Sequence, residues 1–171
     1  SSRLLSVSDD SPDQRIHGWR ERLAAAPQDG AAFAATFAWG FDALKQVVDD
    51  AVPRCLLHCD FINRNVLVAH NRISGVLDWG CSVYGDHLYE LAWFEFWGPW
   101  FPQLTMQYLR SELERRWLEV GYVPENKKAR LRACYLHIGL DHLAYNAYIE
   151  DWAALSATAE RMRTLVPEQS A

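Results

Sequence analysis

The sequence predicts a mostly helical α+β fold in which a small β hairpin separates two helical regions. Long segments toward both ends repeat apolar residues every three or four positions, which is the spacing of one face of an α-helix. Between these segments, two short apolar runs flank a turn, as in paired strands. With 171 residues, half of them hydrophobic, the chain can bury one core. We therefore predict a single domain over residues 1–171, with a flexible start at residues 1–11.

Two helices are predicted before the hairpin. Ser11 offers an N-cap and Pro12 a first helical residue, and the turn-forming residues 27–30 end this helix. The second helix is predicted over about residues 31–48, where apolar side chains share one face. These side chains are Phe33, Phe37, Phe41, Leu44 and Val48.

The hairpin is predicted after a short apolar run at residues 55–58. Residues 66–68 and 73–77 are rich in Val, Leu and Ile, which favours strands, and residues 69–72 form the turn between them. Four more helices are predicted after the hairpin, because capping residues, Pro and Gly mark their limits. Their approximate ranges are 86–97, 102–120, 124–148 and 152–165.

Composition and charge exclude two classes of partner. The formal net charge of −5 argues against nucleic acid, whose phosphate backbone requires a basic surface. Charged residues interrupt every apolar run well before the roughly 20 residues needed to span a bilayer, and the polar N-terminal residues do not resemble a signal peptide. The four cysteines show no paired spacing, which favours reduced thiols and a cytoplasmic location.

The residues with the clearest chemical pattern surround the predicted hairpin. His58, Asp60 and Asn65 fit the pattern H-x-D-x-x-x-x-N, the spacing of a kinase catalytic loop. Asp78 opens Asp78-Trp79-Gly80, which has the form of the kinase metal-binding triplet and follows Asn65 across the hairpin. Two matching elements at hairpin distance indicate phosphoryl transfer more strongly than either one alone.

This spacing suits the chemistry of phosphoryl transfer. The reaction requires one carboxylate to position an acceptor hydroxyl and take its proton, and other oxygen ligands to hold Mg²⁺ against nucleotide phosphates. The loop between Asp60 and Asn65 would let one end face the acceptor and the other end the metal, and the hairpin would return Asp78 beside Asn65. Taken singly, Asp60 could instead cap a turn, and Asp78 could simply end a strand in water.

The same residues resemble the aminoglycoside phosphotransferase family. The stretches that carry the resemblance are residues 57–60, 65–68, 75–79 and 85–92. Residues 94–100 and 136–143 are similar to the hygromycin B phosphotransferases within that family. The chain departs from the usual family pattern at Cys59, where a small residue is usual, at Glu90, where an Asp is usual, and at Gly80 after the Trp.

The resemblance implies a protein-kinase-like C-terminal lobe whose small β hairpin carries the catalytic loop. The N-terminal ATP lobe is absent from this sequence, since no glycine cluster and no suitably placed Lys precede His58. That missing lobe of the same protein would be a necessary partner, and we expect the chain to be inactive without it. The phosphoryl donor would be ATP or GTP, and Mg²⁺ the metal cofactor.

Roles also follow from the resemblance, residue by residue. Asp60 would be the catalytic base and His58 would belong with it to the catalytic loop. Asn65 and Asp78 would be the Mg²⁺ ligands. Asp86 would support the catalytic loop structurally. The substrate would be a hydroxyl of an aminoglycoside-like acceptor, a small and cationic molecule.

The distribution of acidic residues fits a cationic acceptor. Residues 73–109 and 133–160 contain acidic residues and no Lys or Arg, which favours binding of a cation. The same acids could equally solvate helix faces. The predicted substrate-binding residues are Glu95, Asp141, Glu150 and Asp151.

Other functions remain open from the residues alone. Another acceptor is one alternative: choline, homoserine, a macrolide or a fructosamine. A domain that binds a ligand or partner without catalysis is a second, although the presence of Asp60, Asn65 and Asp78 argues against it. A zinc site at Cys55, His58 and Cys59 is disfavoured, because neighbouring strand residues point to opposite faces.

Overall fold

The computed structural model describes residues 7–49, 51–62 and 65–167. It divides into two compact units, one combining Ser1–Asp50 with Lys128–Ala171 and the other comprising Ala51–Lys127. Residues 1–6 of the predicted flexible start lie outside the described residues. The single-domain organisation over residues 1–171 stays a prediction.

The predicted mostly helical α+β class is confirmed. Within the described residues there are six α-helices and four short strands. The helices are α1 (Trp19–Ala24), α2 (Gly30–Val47), α3 (Leu88–Trp97), α4 (Met106–Glu119), α5 (Lys127–Tyr148) and α6 (Trp152–Leu165). The strands are β1 (Arg54–Leu57), β2 (Val66–Ala69), β3 (Arg72–Val76) and β4 (Val83–Asp86), and 3-10 turns occupy Trp79–Cys81 and Gly98–Trp100. None of the described helices has both the length and the apolar character to cross a membrane.

The first helix begins later than its proline signal predicted. Ser11 and Pro12 lie in a run of turns, and α1 starts at Trp19. The Ser11 Oγ accepts a hydrogen bond from the Asp13 N–H at 3.2 Å, and Asp13 Oδ1 accepts one from the Arg15 N–H at 2.9 Å. Such local side-chain bonds offer backbone N–H groups an alternative to the helix. Helices α4 and α5 also start a few residues after their prolines, so a proline marks where a helix is permitted without forcing it to begin there.

The predicted hairpin is present. Strands β2 and β3 pair antiparallel, from Val66 opposite Val76 to Ala69 opposite Arg72. The two turn residues, His70 and Asn71, have φ of 51° and 59°, which matches the two-residue turns with left-handed central residues that join twisted strands.

The second strand pair was not predicted from the sequence. Strand β4 covers residues for which no strand was predicted, and only its last residue, Asp86, falls in the predicted helix 86–97. It pairs antiparallel with β1, from Arg54 opposite Asp86 to Leu57 opposite Val83. Local periodicity does not reveal this pairing, because its partners are about 30 residues apart in sequence. The register of this pairing sets the position of the end of β1 relative to β4. It therefore also sets the position of His58, which follows β1 directly.

Close packing in the first unit depends on two glycines. Trp19 and Phe37 are buried and stack with ring centroids 3.7 Å apart. Met162 of α6 is fully buried against α2 and α5, and it lies close to Gly40 and Gly139. A Cβ atom added at Gly139 would lie 2.5 Å from Met162 Sδ and 2.8 Å from its Cγ.

We expect Gly139→Ala to destabilise the chain by about 1–3 kcal/mol through overpacking, which outweighs the roughly 1 kcal/mol that alanine gains in a helix. Chemical denaturation of both proteins measures this difference. Gly75→Ala is the control, because its Cβ would meet only Leu67 Cδ1 at 3.4 Å, an ordinary contact. Equal free energies of unfolding for wild type and Gly139→Ala would contradict the packing described.

The stability of the chain should fall in mild acid because of His142. Burial lowers the pKa of His142 below its usual 6.5, and the neighbouring Asp141 carboxylate opposes this shift only in part. The unfolded chain therefore takes up a proton at a pH where the folded chain does not, so unfolding becomes easier as pH drops below about 6.5. Above that pH the contribution is fully present.

Denaturation midpoints at about pH 7.5 and pH 5.5 measure this effect. The difference between the midpoints at the two pH values should shrink in His142→Asn. It should persist in the control variant His17→Gln, since His17 is exposed. An undiminished pH dependence in His142→Asn would assign the effect to other groups.

Candidate active site

Asn65 closes the loop that carries Asp60. Its side-chain Nδ2 donates one hydrogen bond to the Asp60 carbonyl oxygen at 2.8 Å and another to Asp60 Oδ2 at 3.0 Å. Residues 63 and 64 of this loop lie outside the described residues. Because the amide nitrogen is turned toward Asp60, the atom of Asn65 with metal-ligand chemistry is its other amide atom, Oδ1.

The β2–β3 hairpin brings Asp78 back toward the same loop. The Leu77 N–H donates to the Asn65 carbonyl oxygen at 2.8 Å, which continues the pairing of β2 and β3 by one step. Asp78 follows Leu77, is exposed, and has a left-handed φ of 55° at the start of the 3-10 turn Trp79–Cys81. The structure thus brings together the ends of the two predicted motifs.

His58 connects the Asp60 loop to the residue before Asp78. The ring Nε2 is 2.7 Å from the Leu77 carbonyl oxygen and Nδ1 is 3.2 Å from the Asp60 backbone nitrogen. A carbonyl only accepts and an N–H only donates, so these partners assign the proton to Nε2 and leave Nδ1 as the acceptor. The ring is buried, stacks on Phe61 and meets Trp79 edge-on.

Glu90 is a site residue that the sequence reasoning did not assign. Its carboxylate accepts hydrogen bonds from the backbone N–H groups of His58 and Cys59, the latter at 3.2 Å to Oε1. The only sequence signal was that Glu90 occupies a position in the family motif where an Asp is usual. The contact spans more than 30 residues of sequence, so no local pattern could have shown it.

Asp86 lies at the end of β4 and is almost completely buried. Its Oδ1 accepts a hydrogen bond from the Leu88 N–H at 2.9 Å, so it satisfies the N–H group of the first residue of α3. In the pairing of β4 with β1, Asp86 lies opposite Arg54, at the end of β1 away from the catalytic loop. The supporting role of Asp86 in catalysis stays a prediction.

The four predicted substrate carboxylates differ in what surrounds them. Glu95 is buried and forms a two-bond ion pair with Arg110, including Arg110 Nη2 to Glu95 Oε2 at 2.8 Å. Asp151 Oδ1 caps α6 by accepting from the Ala154 N–H at 2.9 Å. Asp141 is half-buried beside His142, and Glu150 is exposed.

These four residues do not belong to one compact unit. Glu95 lies in the second unit, and the other three lie in the first. Their predicted convergence near Asp60 stays a prediction.

The donor atoms suit Mg²⁺ better than zinc. Asn65 offers an amide oxygen and Asp78 a carboxylate, which are hard oxygen ligands of the kind Mg²⁺ takes alongside phosphate oxygens and water. Within the described ranges, no three His, Cys, Asp or Glu side chains form a group that could hold a metal. The zinc alternative at Cys55, His58 and Cys59 therefore finds no support there. All four cysteines remain thiols.

Comparison with known proteins assigns the chain to a family. The sequence profile described as the phosphotransferase enzyme family matches residues 5–123. The chain belongs to the phosphotransferase enzyme family. The match includes the Asp60 loop, the hairpin and Asp78, so the predicted family resemblance is confirmed.

Relatives of this phosphotransferase-family chain include a hygromycin kinase and an aminoglycoside phosphotransferase. Hygromycin-B 4-O-kinase of Escherichia coli is 42% identical over 90 residues, which represent 53% of this chain and 24% of that kinase. The chain is also similar to a crystal structure of a thermostable mutant of aminoglycoside phosphotransferase APH(4)-Ia in its apo form. The sequence identity is 30% and the TM-score 0.65, and the match covers 92% of this chain and 54% of that one.

A second structure of a thermostable APH(4)-Ia mutant is a ternary complex with AMP-PNP and hygromycin B. It is 31% identical, with a TM-score of 0.64, and the match covers 88% of this chain and 52% of that one. The chain therefore spans about half the length of these solved relatives and about a quarter of the E. coli kinase. The predicted likeness to the C-terminal part of an aminoglycoside-kinase fold is confirmed.

The Glu95–Arg110 pair should stabilise the contact between α3 and α4. We expect Glu95→Gln to lower the free energy of unfolding by about 1 kcal/mol, because it removes the negative charge of a buried carboxylate that bonds the half-exposed Arg110 guanidinium twice. Glu119→Gln is the control, since its carboxylate is exposed on α4 and should contribute little. Equal stabilities of Glu95→Gln and Glu119→Gln would contradict a structural role for the pair.

Proposed function

We propose that this phosphotransferase-family chain carries the acceptor-activating and metal-holding half of a small-molecule kinase. The kinase would move the γ-phosphoryl group of ATP or GTP to a hydroxyl of an aminoglycoside-like acceptor. The observation that carries the proposal is the closed loop in which Asn65 donates to both the carbonyl and the carboxylate of Asp60. Complexes of a relative with AMP-PNP and hygromycin B support the same donor and acceptor classes.

Asp60 would act on the acceptor. Its carboxylate would align the attacking hydroxyl and take its proton as the new phosphate ester forms, and such positioned bases contribute about 100- to 10,000-fold to rate. The hydrogen bond from Asn65 Nδ2 to Asp60 Oδ2 would hold that carboxylate in one rotamer. His58 would fix the backbone beneath it, since its ring accepts from the Asp60 N–H.

Asn65 and Asp78 would act on the donor side. When bound, Mg²⁺ supplies neutralisation of the nucleotide phosphates, and the amide oxygen of Asn65 and the carboxylate of Asp78 would hold it. The exposure of Asp78 is consistent with a ligand that meets a nucleotide. The adenine and the α/β-phosphates would be held by an N-terminal lobe of the same protein, so we propose that the chain by itself does not turn over.

The acceptor would be a small cation, and the protein would work in the cytoplasm, where its nucleotide donor is found. Acidic residues without neighbouring Lys or Arg favour a cationic ligand. Asp141 and Glu150 are the better candidates of the four predicted, because Glu95 is held by Arg110 and Asp151 caps a helix. A carboxylate that already has a partner must lose that bond before it can bind an ammonium group.

The division of roles predicts different defects in two isosteric variants of the full-length protein. Asp60→Asn should lower kcat by about 100- to 10,000-fold with nucleotide affinity nearly unchanged, because it removes the base alone. Asp78→Asn should weaken binding of the Mg²⁺–nucleotide complex as well as turnover. Titration of Mg²⁺–ATP, with phosphorylation of hygromycin B followed by ADP release, measures both effects.

Two further assays complete this test. In the first, choline and homoserine replace the aminoglycoside as acceptors of different chemistry. In the second, the 171-residue chain is assayed alone and should release no ADP. Equal nucleotide affinities in the two variants would contradict the proposed division. Turnover with choline but none with aminoglycosides would show that the proposed aminoglycoside-like acceptor is wrong.

A further inference from the structure

The N-terminal segment, residues 8–18, folds back on itself before α1. The Gly18 N–H donates to the Asp9 carbonyl oxygen at 3.1 Å, and the Ile16 N–H donates to the Asp13 carbonyl oxygen at 2.9 Å. Ile16 is also buried. These contacts give the segment a defined conformation, so its charged side chains start from fixed backbone positions on the first unit.

Arg22 of α1 connects this segment to α5. Its Nη1 donates to the Arg15 carbonyl oxygen and its Nη2 to the Gln14 carbonyl oxygen, both at 2.9 Å. The same guanidinium lies over the ring of Tyr148, with Cζ 4.9 Å from the ring centroid, within the range of a cation–π contact. Arg22 therefore holds the main chain of Arg15 close to the last turn of α5.

The Arg15 side chain lies between Asp13 and one face of α5. Its Nε and Nη2 bond the Asp13 carboxylate, with Nη2 to Oδ2 at 2.6 Å. Those bonds are the main reason that the pKa of the Arg15 guanidinium is raised, and Asp141 and Tyr145 raise it further. Asp141, Tyr145 and Tyr148 follow one another at helical spacing, so they share one face of α5. Arg15 is thus within electrostatic range of Asp141.

We propose that Arg15 competes with a cationic acceptor for Asp141 and thereby lowers the affinity of the chain for that acceptor. The inference rests on the proposed role of Asp141 in binding the acceptor. An ammonium group that approaches Asp141 meets the positive charge of Arg15 and must displace it or bind beside it, and like charges repel at short range. Because Asp13 binds Arg15 independently of Asp141, a ligand at Asp141 does not leave the guanidinium unpaired.

Calorimetry of the 171-residue chain with hygromycin B measures the competition. In Arg15→Gln the dissociation constant at low salt should fall about two- to fivefold, the effect of one exposed charge beside the ligand. The gain should disappear at about 1 M salt, where the Debye length is roughly 3 Å. Arg20→Gln is the matched control and should leave the affinity nearly unchanged, because Arg20 lies over Trp19 and near Asp9.

Two further variants locate the gain at Asp141. Arg15→Lys keeps the charge and should bind like wild type. Asp141→Asn should weaken binding, and adding Arg15→Gln to it should give no gain, because the competition requires the carboxylate. A gain of equal size in Arg15→Gln and Arg20→Gln would assign the effect to net charge and overturn the proposal. A gain that persists in the Arg15→Gln, Asp141→Asn double variant would also overturn it.

Spermine, a polyamine without a sugar, separates this proposal from the proposed function. A gain with spermine but no binding of hygromycin B would keep the competition at Asp141 and reject the aminoglycoside-like acceptor. No gain in Arg15→Gln with either ligand would overturn the competition. Absence of phosphoryl transfer by the full-length protein would defeat the proposed function, and the binding comparison would still decide the role of Arg15.

His142 reports the position of Arg15 without any ligand. Burial is the main reason that the pKa of His142 is lowered; Asp141 opposes this shift, and the Arg15 charge adds to it. Arg15→Gln should therefore raise the pKa of His142 in an NMR titration of its imidazole, and Arg20→Gln should leave it unchanged. The Arg15 side chain is 60% exposed, so the variant should fold. An unchanged His142 pKa in Arg15→Gln would place the guanidinium away from α5 and overturn the proposal.

Discussion

Buried backbone N–H groups must find acceptors, and the start of the catalytic loop has no strand to provide them. The pairing of β1 with β4 ends at Leu57 opposite Val83, just before the loop begins. The N–H groups that follow are satisfied by Glu90 and by the ring of His58. An unsatisfied buried N–H costs about 1–3 kcal/mol, so this requirement restricts which side chains the surrounding positions can carry.

Leu77 joins the two motifs without contributing any side-chain chemistry. Its N–H donates to the Asn65 carbonyl, and its carbonyl accepts from His58 Nε2. Both ends of the catalytic loop are thereby bonded to the single residue that precedes Asp78. A displacement of the hairpin would therefore move the proposed base, Asp60, and the proposed metal ligands together, as expected when one rigid scaffold positions two groups for a reaction.

The distribution of acidic residues along the sequence does not tell which carboxylates can bind a ligand. Acids that cluster in sequence attract cations, within a Debye length of roughly 8–10 Å, only where no base from another element offsets their charge. A field of this kind does not require each carboxylate to contact the ligand. Glu95 already binds Arg110, and Asp151 already caps a helix. The Arg110 guanidinium offsets the charge of Glu95, and the oxygen atoms of both carboxylates are engaged in stabilising the fold.

The sequence by itself determined the candidate site residues and the local elements. Phosphoryl transfer requires particular residue types at particular spacings, so His58, Asp60, Asn65 and Asp78 could be proposed from spacing alone. The β2–β3 hairpin and most helices followed from apolar periodicity, because neighbours in sequence form those structures. Helix starts after prolines were less certain, since side chains such as Ser11 and Asp13 compete for the same N–H groups.

Tertiary structure alone decided the contacts between residues distant in sequence. The pairing of β1 with β4, the bond from the Cys59 N–H to Glu90 and the ion pair of Glu95 with Arg110 each join separate elements. A carboxylate has the same composition whether it binds an ammonium group, a helix N–H or a guanidinium. Which of these groups it contacts depends on the packing of elements that are distant in sequence. Local sequence carries no information about that packing.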